Sequence, residues 1–296
     1  LWGSILGCHP TQTDARDPLG ADALRLATEA MTDVGPRAVA TPEESEAREW
    51  LVDHFKGLGL SAVTADPFTY DAWIPGTASL TVGDETYEAA PLSPTANITN
   101  LGAPVEDAEG DFEDRFALFS SLDGHRTEEL LQAALGGAIG MIRVTDQRGP
   151  NGESLVEVGH TLTGSSTPAI SVDQTVGDVL RANLGEEVVL TTTSTWAIDN
   201  VSYNVTAKIA GSNPTLGPIL VVAHYDSWHL SESAFDNALG VGALVQLAEA
   251  AMQADTPTRT LLFMATSAEE QGLKGATAWT SAHPDEAGAI STILVL

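Results

Sequence analysis

Two short stretches in the last quarter of the chain, ILVVA at 219–223 and TLLFMA at 260–265, are apolar at almost every position. A half-exposed strand alternates apolar and polar residues, so a strand apolar on both faces has to be covered on both. Between them lies 241–252, an apolar-rich stretch of helical character. Strand, helix, strand with both strands buried is the signature of an α/β fold: a central sheet flanked by helices. In such folds the chemistry gathers where the strands end. Both runs lead into polar residues: His224, Tyr225, Asp226 and Ser227 after the first, and Ser267, Glu269 and Glu270 after the second.

Residues two apart on a strand share a face, so His224 and Asp226 lie on one side of the pleat. An Asp so placed can orient the imidazole or hold its second nitrogen, the usual support for a metal-bound His. Asp236 and Asn237 fall in a Ser- and Gly-flanked loop leading into the 241–252 helix. Taken singly, each motif has a plainer reading. Asp-Asn before a helix is an ordinary turn or cap, Glu-Glu an ordinary helix start, and Ser267 with Glu270 a capping box. Together, one imidazole and several carboxylates at strand ends suit Zn²⁺ with an open coordination position.

In order and near spacing, H-x-D-S, x-D-N-x-x-G and A-E-E-x-G-L-x-G resemble the M28 family of co-catalytic zinc peptidases, aminopeptidases and glutamate carboxypeptidases among them. The resemblance implies two zinc ions, with His224 on one, Asp236 bridging both and Glu270 on the second. Glu269 would be the general base that takes a proton from the metal-bridging water and returns it to the leaving amine. Asp226 would support His224. The family commonly has a small residue where Leu239 stands and often Asp where Phe235 stands. It also implies two further ligands, an Asp after the next strand and a distant His. Residues 289–296 read as that next strand, so on this reading the 296 residues are a C-terminally truncated piece, unable to hold two metals alone. An aminopeptidase is the first expectation. The Asp-Ser-Trp at 226–228 also occurs in glutamate-carboxypeptidase-like members, where Trp228 and His229 would line the cleft; alternatively Trp228 packs beneath the metal loop. A catalytically inactive binding scaffold and a one-zinc glutaminyl-cyclase type are the other readings of the fold. Retention of the ligand set argues against the scaffold.

The rest of the chain reads as a small opening unit and a long insertion. Residues 22–31 and 42–58 are expected helices, with Pro42 at a helix start followed by Glu43 and Glu44. Trp50, Leu51, His54, Phe55 and Leu58 form one apolar face, on which His54 is core or boundary rather than ligand. The segment 35–60 also resembles the opening of M28 peptidases, and 61–70 reads as a first strand. From 75 to 196 short strands (79–82, 116–120, 138–144, 188–193) alternate with Gly-, Asp- and Pro-rich turns. With 129–146 and 167–180, this stretch resembles a β-rich protease-associated (PA) domain, an insertion common in M28 enzymes. His125 and His160 are expected on its surface. The peptidase domain is thus expected over 21–74 and 197–296, interrupted by the PA-like unit at 75–196.

A net charge of −28 excludes nucleic acid as partner and leaves a peptide as the expected substrate. Residues 4–8, Ser-Ile-Leu-Gly-Cys, resemble a bacterial lipobox, and 1–20 would be its remnant and tether. Cys8, the only cysteine, would carry the lipid, making the protein an extracytoplasmic, secreted or membrane-anchored bacterial lipoprotein. The sequence does not indicate an oligomeric state.

Overall fold

The computed structural model describes residues 19–122, 124–149, 151–161 and 166–296, so Cys8 and most of the expected tether lie outside the described residues. Strands β1 (Ser61–Val82) and β7 (Glu187–Ile209) form its spine, paired antiparallel from Ser61 opposite Lys208 to Val82 opposite Val188. The segments 61–70 and 79–82, read separately from sequence, are thus one strand, and 188–193 is the first part of the longer β7. The pairing slips near Tyr70 and again between Pro75 and Ala78, where Pro75 and Gly76 break the apolar alternation. Bulges of this kind bend a strand without ending it.

At one end, the spine joins β9 (Leu261–Thr266), β8 (Ile219–His224) and β10 (Thr292–Val295) in a mixed sheet. β9 runs antiparallel to β7, whereas β8 lies parallel to both β9 and β10. Alternate residues of β8 and β9 divide between two cores. Val221, Ala223, Phe263 and Ala265 join the core that holds Met31, Leu51, Phe55 and Leu244. Those partners come from α1 (Ala21–Thr32), α2 (Pro42–Gly57) and α5 (Leu239–Gln253). Leu220, Leu262 and Met264 point the other way, onto Trp279 of α6 (Lys274–Ala282) and Ala287 of α7 (Pro284–Ala289). This two-sided burial is why both strands are apolar throughout. At roughly 1.5–3 kcal/mol per fully buried large side chain, it is the main stabilisation of this half.

At the other end, the spine closes a ring. From β1 the strands run β2 (Glu85–Pro91), β6 (Ala169–Val172), β5 (Gly140–Val144), β4 (Phe116–Ser120) and β3 (Ile98–Asp107), then β7 and back to β1. The stretch β3–β4–β5–β6 is parallel and the other joints antiparallel. Leu80, Val105, Phe116, Ile142, Ile170, Val188 and Leu190 share one core there. Closure gives each strand of the ring a neighbour on both sides, which suits a unit built from short strands. The helices α3 (Arg126–Leu135) and α4 (Gln174–Ala182) complete it.

Candidate metal centre

Parallel pairing of β8 and β9 sets His224 opposite Thr266, so both motifs emerge from the same edge of the sheet. Asp226 then joins the two loops. Its fully buried carboxylate accepts the backbone N–H of Glu269 (3.1 Å) and of Glu270 (3.2 Å). His224 Nδ1 lies 3.2 Å from the Asp226 carbonyl oxygen and 3.4 Å from its carboxylate. Asp226 therefore touches His224 and also holds the turn that carries both glutamates.

With Nδ1 engaged, His224 Nε2 faces the open side, 2.9 Å from Asp236 Oδ1 and 3.9 Å from Glu269 Oε2. Burial alone would lower the pKa of this imidazole. The hydrogen bond and charge of Asp226, helped by Glu269 and Glu270, outweigh that and raise it to about 9. Glu269 is raised by burial, opposed by His224 and reinforced by Asp226 and Asp236. Glu270 reaches about 8, again through burial first and the neighbouring carboxylates second. Its Oε1 is buried and has no hydrogen-bond partner among the described residues.

Local sequence explains the loop shapes. Asp236 sits in the turn Ala234–Ala238, where it and Asn237 leave helical geometry (φ −122° and −140°). Asn237 is buried, accepts the Gly240 N–H at 3.0 Å and donates to the Leu296 carbonyl at 2.9 Å. A Cβ at Gly240 would come within 2.2 Å of Asn237 Oδ1, so the Asn and the Gly of D-N-x-x-G need each other. Gly275 is constrained in the same way: a Cβ there would meet the Ser267 carbonyl and Asn204 Oδ1, each at 2.4 Å. Phe235, Leu239, Asp236 and His224 line an open groove of about 500 Å³.

Two supporting residues escaped the sequence reading. Arg37 is completely buried; its guanidinium donates to the carbonyls of Met31, Gly35, Tyr225, Glu232 and Ser233, and its own N–H donates to Ser227 Oγ. One side chain thus fastens the opening segment to both loops flanking Asp226. Glu44, placed by the sequence only as an acid at a helix start, is buried. Its carboxylate accepts from Ser202, from Ser267 at 2.5 Å and from the Ala40 N–H at 2.8 Å, and burial raises its pKa. The Pro42 start placed Glu44 at the third helical position, facing back; only the packing of α2 on the sheet made that direction the interior. His160, expected on the surface, is half-buried, and its carbonyl accepts from Arg126.

His224, Asp226, Asp236, Glu269 and Glu270 are thus brought to one edge. Even so, among the described residues no group of three or more His, Cys, Asp or Glu side chains is gathered tightly enough to hold a metal ion. His224 pairs with Asp236, while Glu270 is held by its backbone to Asp226 and stays apart from that pair. The donor set nevertheless fits zinc chemically: one imidazole oriented through its other nitrogen, the exposed Asp236 carboxylate beside it, and the Glu270 carboxylate at the same sheet edge.

The model of peptidase family M28 matches residues 204–295, which contain all five side chains. The likeness to this family thus falls on the part of the chain that carries the candidate metal centre. The "Vacuolar membrane protease" of the yeast Clavispora lusitaniae is 39% identical over 90 residues, 29% of this chain and 9% of that protein. Bovine "Carboxypeptidase Q" is 24% identical over 293 residues, 88% of this chain and 61% of that protein. The chain therefore spans about a tenth of the first relative's length and about three fifths of the second's. Among solved structures, a zinc aminopeptidase from Bacillus subtilis shares the fold with a TM-score of 0.73 at 20% identity, covering 92% of this chain and 68% of that one. A peptidase M28 precursor from Shewanella amazonensis gives 0.74 at 22% identity, covering 92% and 72%. The expected bacterial lipoprotein location is overturned by these findings, because several of the matched curated proteins are yeast vacuolar membrane proteases.

Proposed function

We propose that the protein is a zinc-dependent exopeptidase, acting as an aminopeptidase on peptide substrates, with Glu269 as general base. The observation carrying this reading is the convergence of His224, Glu269 and Glu270 on Asp226, with Asp236 against His224, within the M28-matched segment. His224, Asp236 and Glu270 are the residues that would hold zinc. When bound, zinc supplies Lewis acidity toward the scissile carbonyl and brings the pKa of water towards neutrality. Glu269, partly buried and with a raised proton affinity, takes the proton of the attacking water and returns it to the leaving amine. Asp226 keeps the His224 ring and the Glu269 backbone aligned during that transfer.

A carboxypeptidase is the second reading, favoured by the likeness to carboxypeptidase Q along 88% of the chain. Full-length protein, assayed on one peptide blocked at either end, separates them. Cleavage of the C-amidated peptide alone supports the aminopeptidase; cleavage of the N-acetylated peptide alone refutes it. Zinc content tests the site itself: Asp236→Ala should lower it, and an unchanged stoichiometry would remove Asp236 from the ligand set. The absence of any zinc in wild type would favour a non-catalytic scaffold. The closed ring of strands is consistent with a PA-like insert, and the charge of −28 with a protein that does not bind nucleic acid.

A further inference from the structure

Beside the candidate metal centre lies a cavity with about 10 Å³ open to the centre of a water molecule, lined in part by Ser227, Trp228, His229, Glu270 and Gln271. That is room for about one water. Most of the polar groups around it are already engaged. Gln271 accepts from the Trp73 N–H at 2.9 Å and donates to the Trp73 carbonyl at 2.6 Å. Ser227 Oγ accepts from the Arg37 N–H at 2.7 Å. Two buried atoms of lining residues have no partner among the described residues, Glu270 Oε1 and His229 Nδ1. A buried polar atom left unpaired is costly, so two of them in residues that line one water-sized cavity call for a shared partner.

We propose that this cavity is a structural water site in which one water bridges Glu270 Oε1 and His229 Nδ1, making His229 a positioning residue for Glu270. The inference rests on Glu270 being a zinc ligand. The water donates one hydrogen to the carboxylate, and its other hydrogen or its lone pair meets the imidazole, according to the tautomer. Glu270 Oε1 is thereby fixed, and the remaining carboxylate oxygen is left for the metal. His229 touches neither metal nor substrate; it acts through the carboxylate, as the supporting partners of metal ligands do.

Zinc affinity of the full-length protein, measured by chelator competition, tests this with three variants. Glu270→Ala should lose zinc, His229→Phe should bind it about 10–100-fold more weakly, and His229→Asn, which keeps a polar atom facing the cavity, should return to within about threefold of wild type. Wild-type affinity in His229→Phe alongside a weakened Glu270→Ala overturns the bridge while leaving the metal site intact. Wild-type affinity in Glu270→Ala overturns the ligand reading and the bridge with it. Should His229→Phe not fold, a high-resolution crystal structure of the zinc-loaded wild type decides: a water within hydrogen-bond distance of both atoms supports the site, and an empty or differently filled cavity refutes it.

Discussion

Each end of the molecule buries arginine and glutamate, and treats them differently. In the ring of strands, Arg143 is buried between Glu129 and Glu157, with Glu157 also held by Arg126 at 2.9 Å. Arg143 further donates to the Gly124 carbonyl at 3.1 Å. Those charges answer one another, and the cluster is closed. In the peptidase half, Arg37 meets five carbonyls and no carboxylate in direct contact, while Asp226 accepts two backbone N–H groups. Here buried charge shapes loops, and the carboxylates beyond them stay crowded, with raised proton affinities. One network closes on itself; the other shapes the loops that carry the proposed zinc site.

The sharpest break is Glu269→Ala. Turnover of the full-length enzyme should fall by about 10²–10⁴-fold with zinc content unchanged, as loss of a general base implies; comparable activity would end that role. Arg143→Met tests the closed cluster. Stripping one partner from a buried ion-pair network should cost about 3–5 kcal/mol in urea or thermal unfolding, with zinc affinity of the surviving folded protein unaltered. A coupled loss of zinc would mean that the two halves are not separable in this way.

Glu44→Gln is milder, because an amide cannot accept at every position where the carboxylate does. About 1–2 kcal/mol of stability should go, together with a drop in kcat through the Ser267 end of the glutamate turn; an unchanged kcat would confine Glu44 to stability. The smallest effect concerns His229, whose pKa burial pushes down from 6.5 to about 4. Its folded form binds the proton more weakly than its unfolded form. Its contribution is therefore fully present above pH 6.5 and is lost as pH falls through about 4. The acid limb of a melting-temperature profile should be shallower in His229→Asn, and parallel curves would refute this.

Much of the site could be read from residue order because its side chains sit on local signals. His224 ends an apolar run, Asp236 precedes a helix, and Glu269 and Glu270 follow the next run, so strand periodicity alone brings them to one sheet edge. Arg37 and Glu44 left no such trace. An arginine in a Gly-Pro-Arg loop and a glutamate in a helix's first turn are common on surfaces. Their burial follows from contacts made across 158 to 223 positions of sequence. The spine strands were divided for the opposite reason: Pro75 and Gly76 are honest breakers in isolation, and only the continuous partner β7 carries β1 past them.

What the sequence by itself determined is the α/β class, the two-sided burial of β8 and β9, and the set of residues at their ends. These follow from composition and period within short windows. Tertiary structure alone decided that Asp226 binds the glutamate turn as well as His224, that Arg37 and Glu44 lie inside, and that Glu270 and His229 share a cavity. The physical reason is that hydrogen-bond partners and burial depend on what distant segments bring to the same place, and no local pattern encodes that.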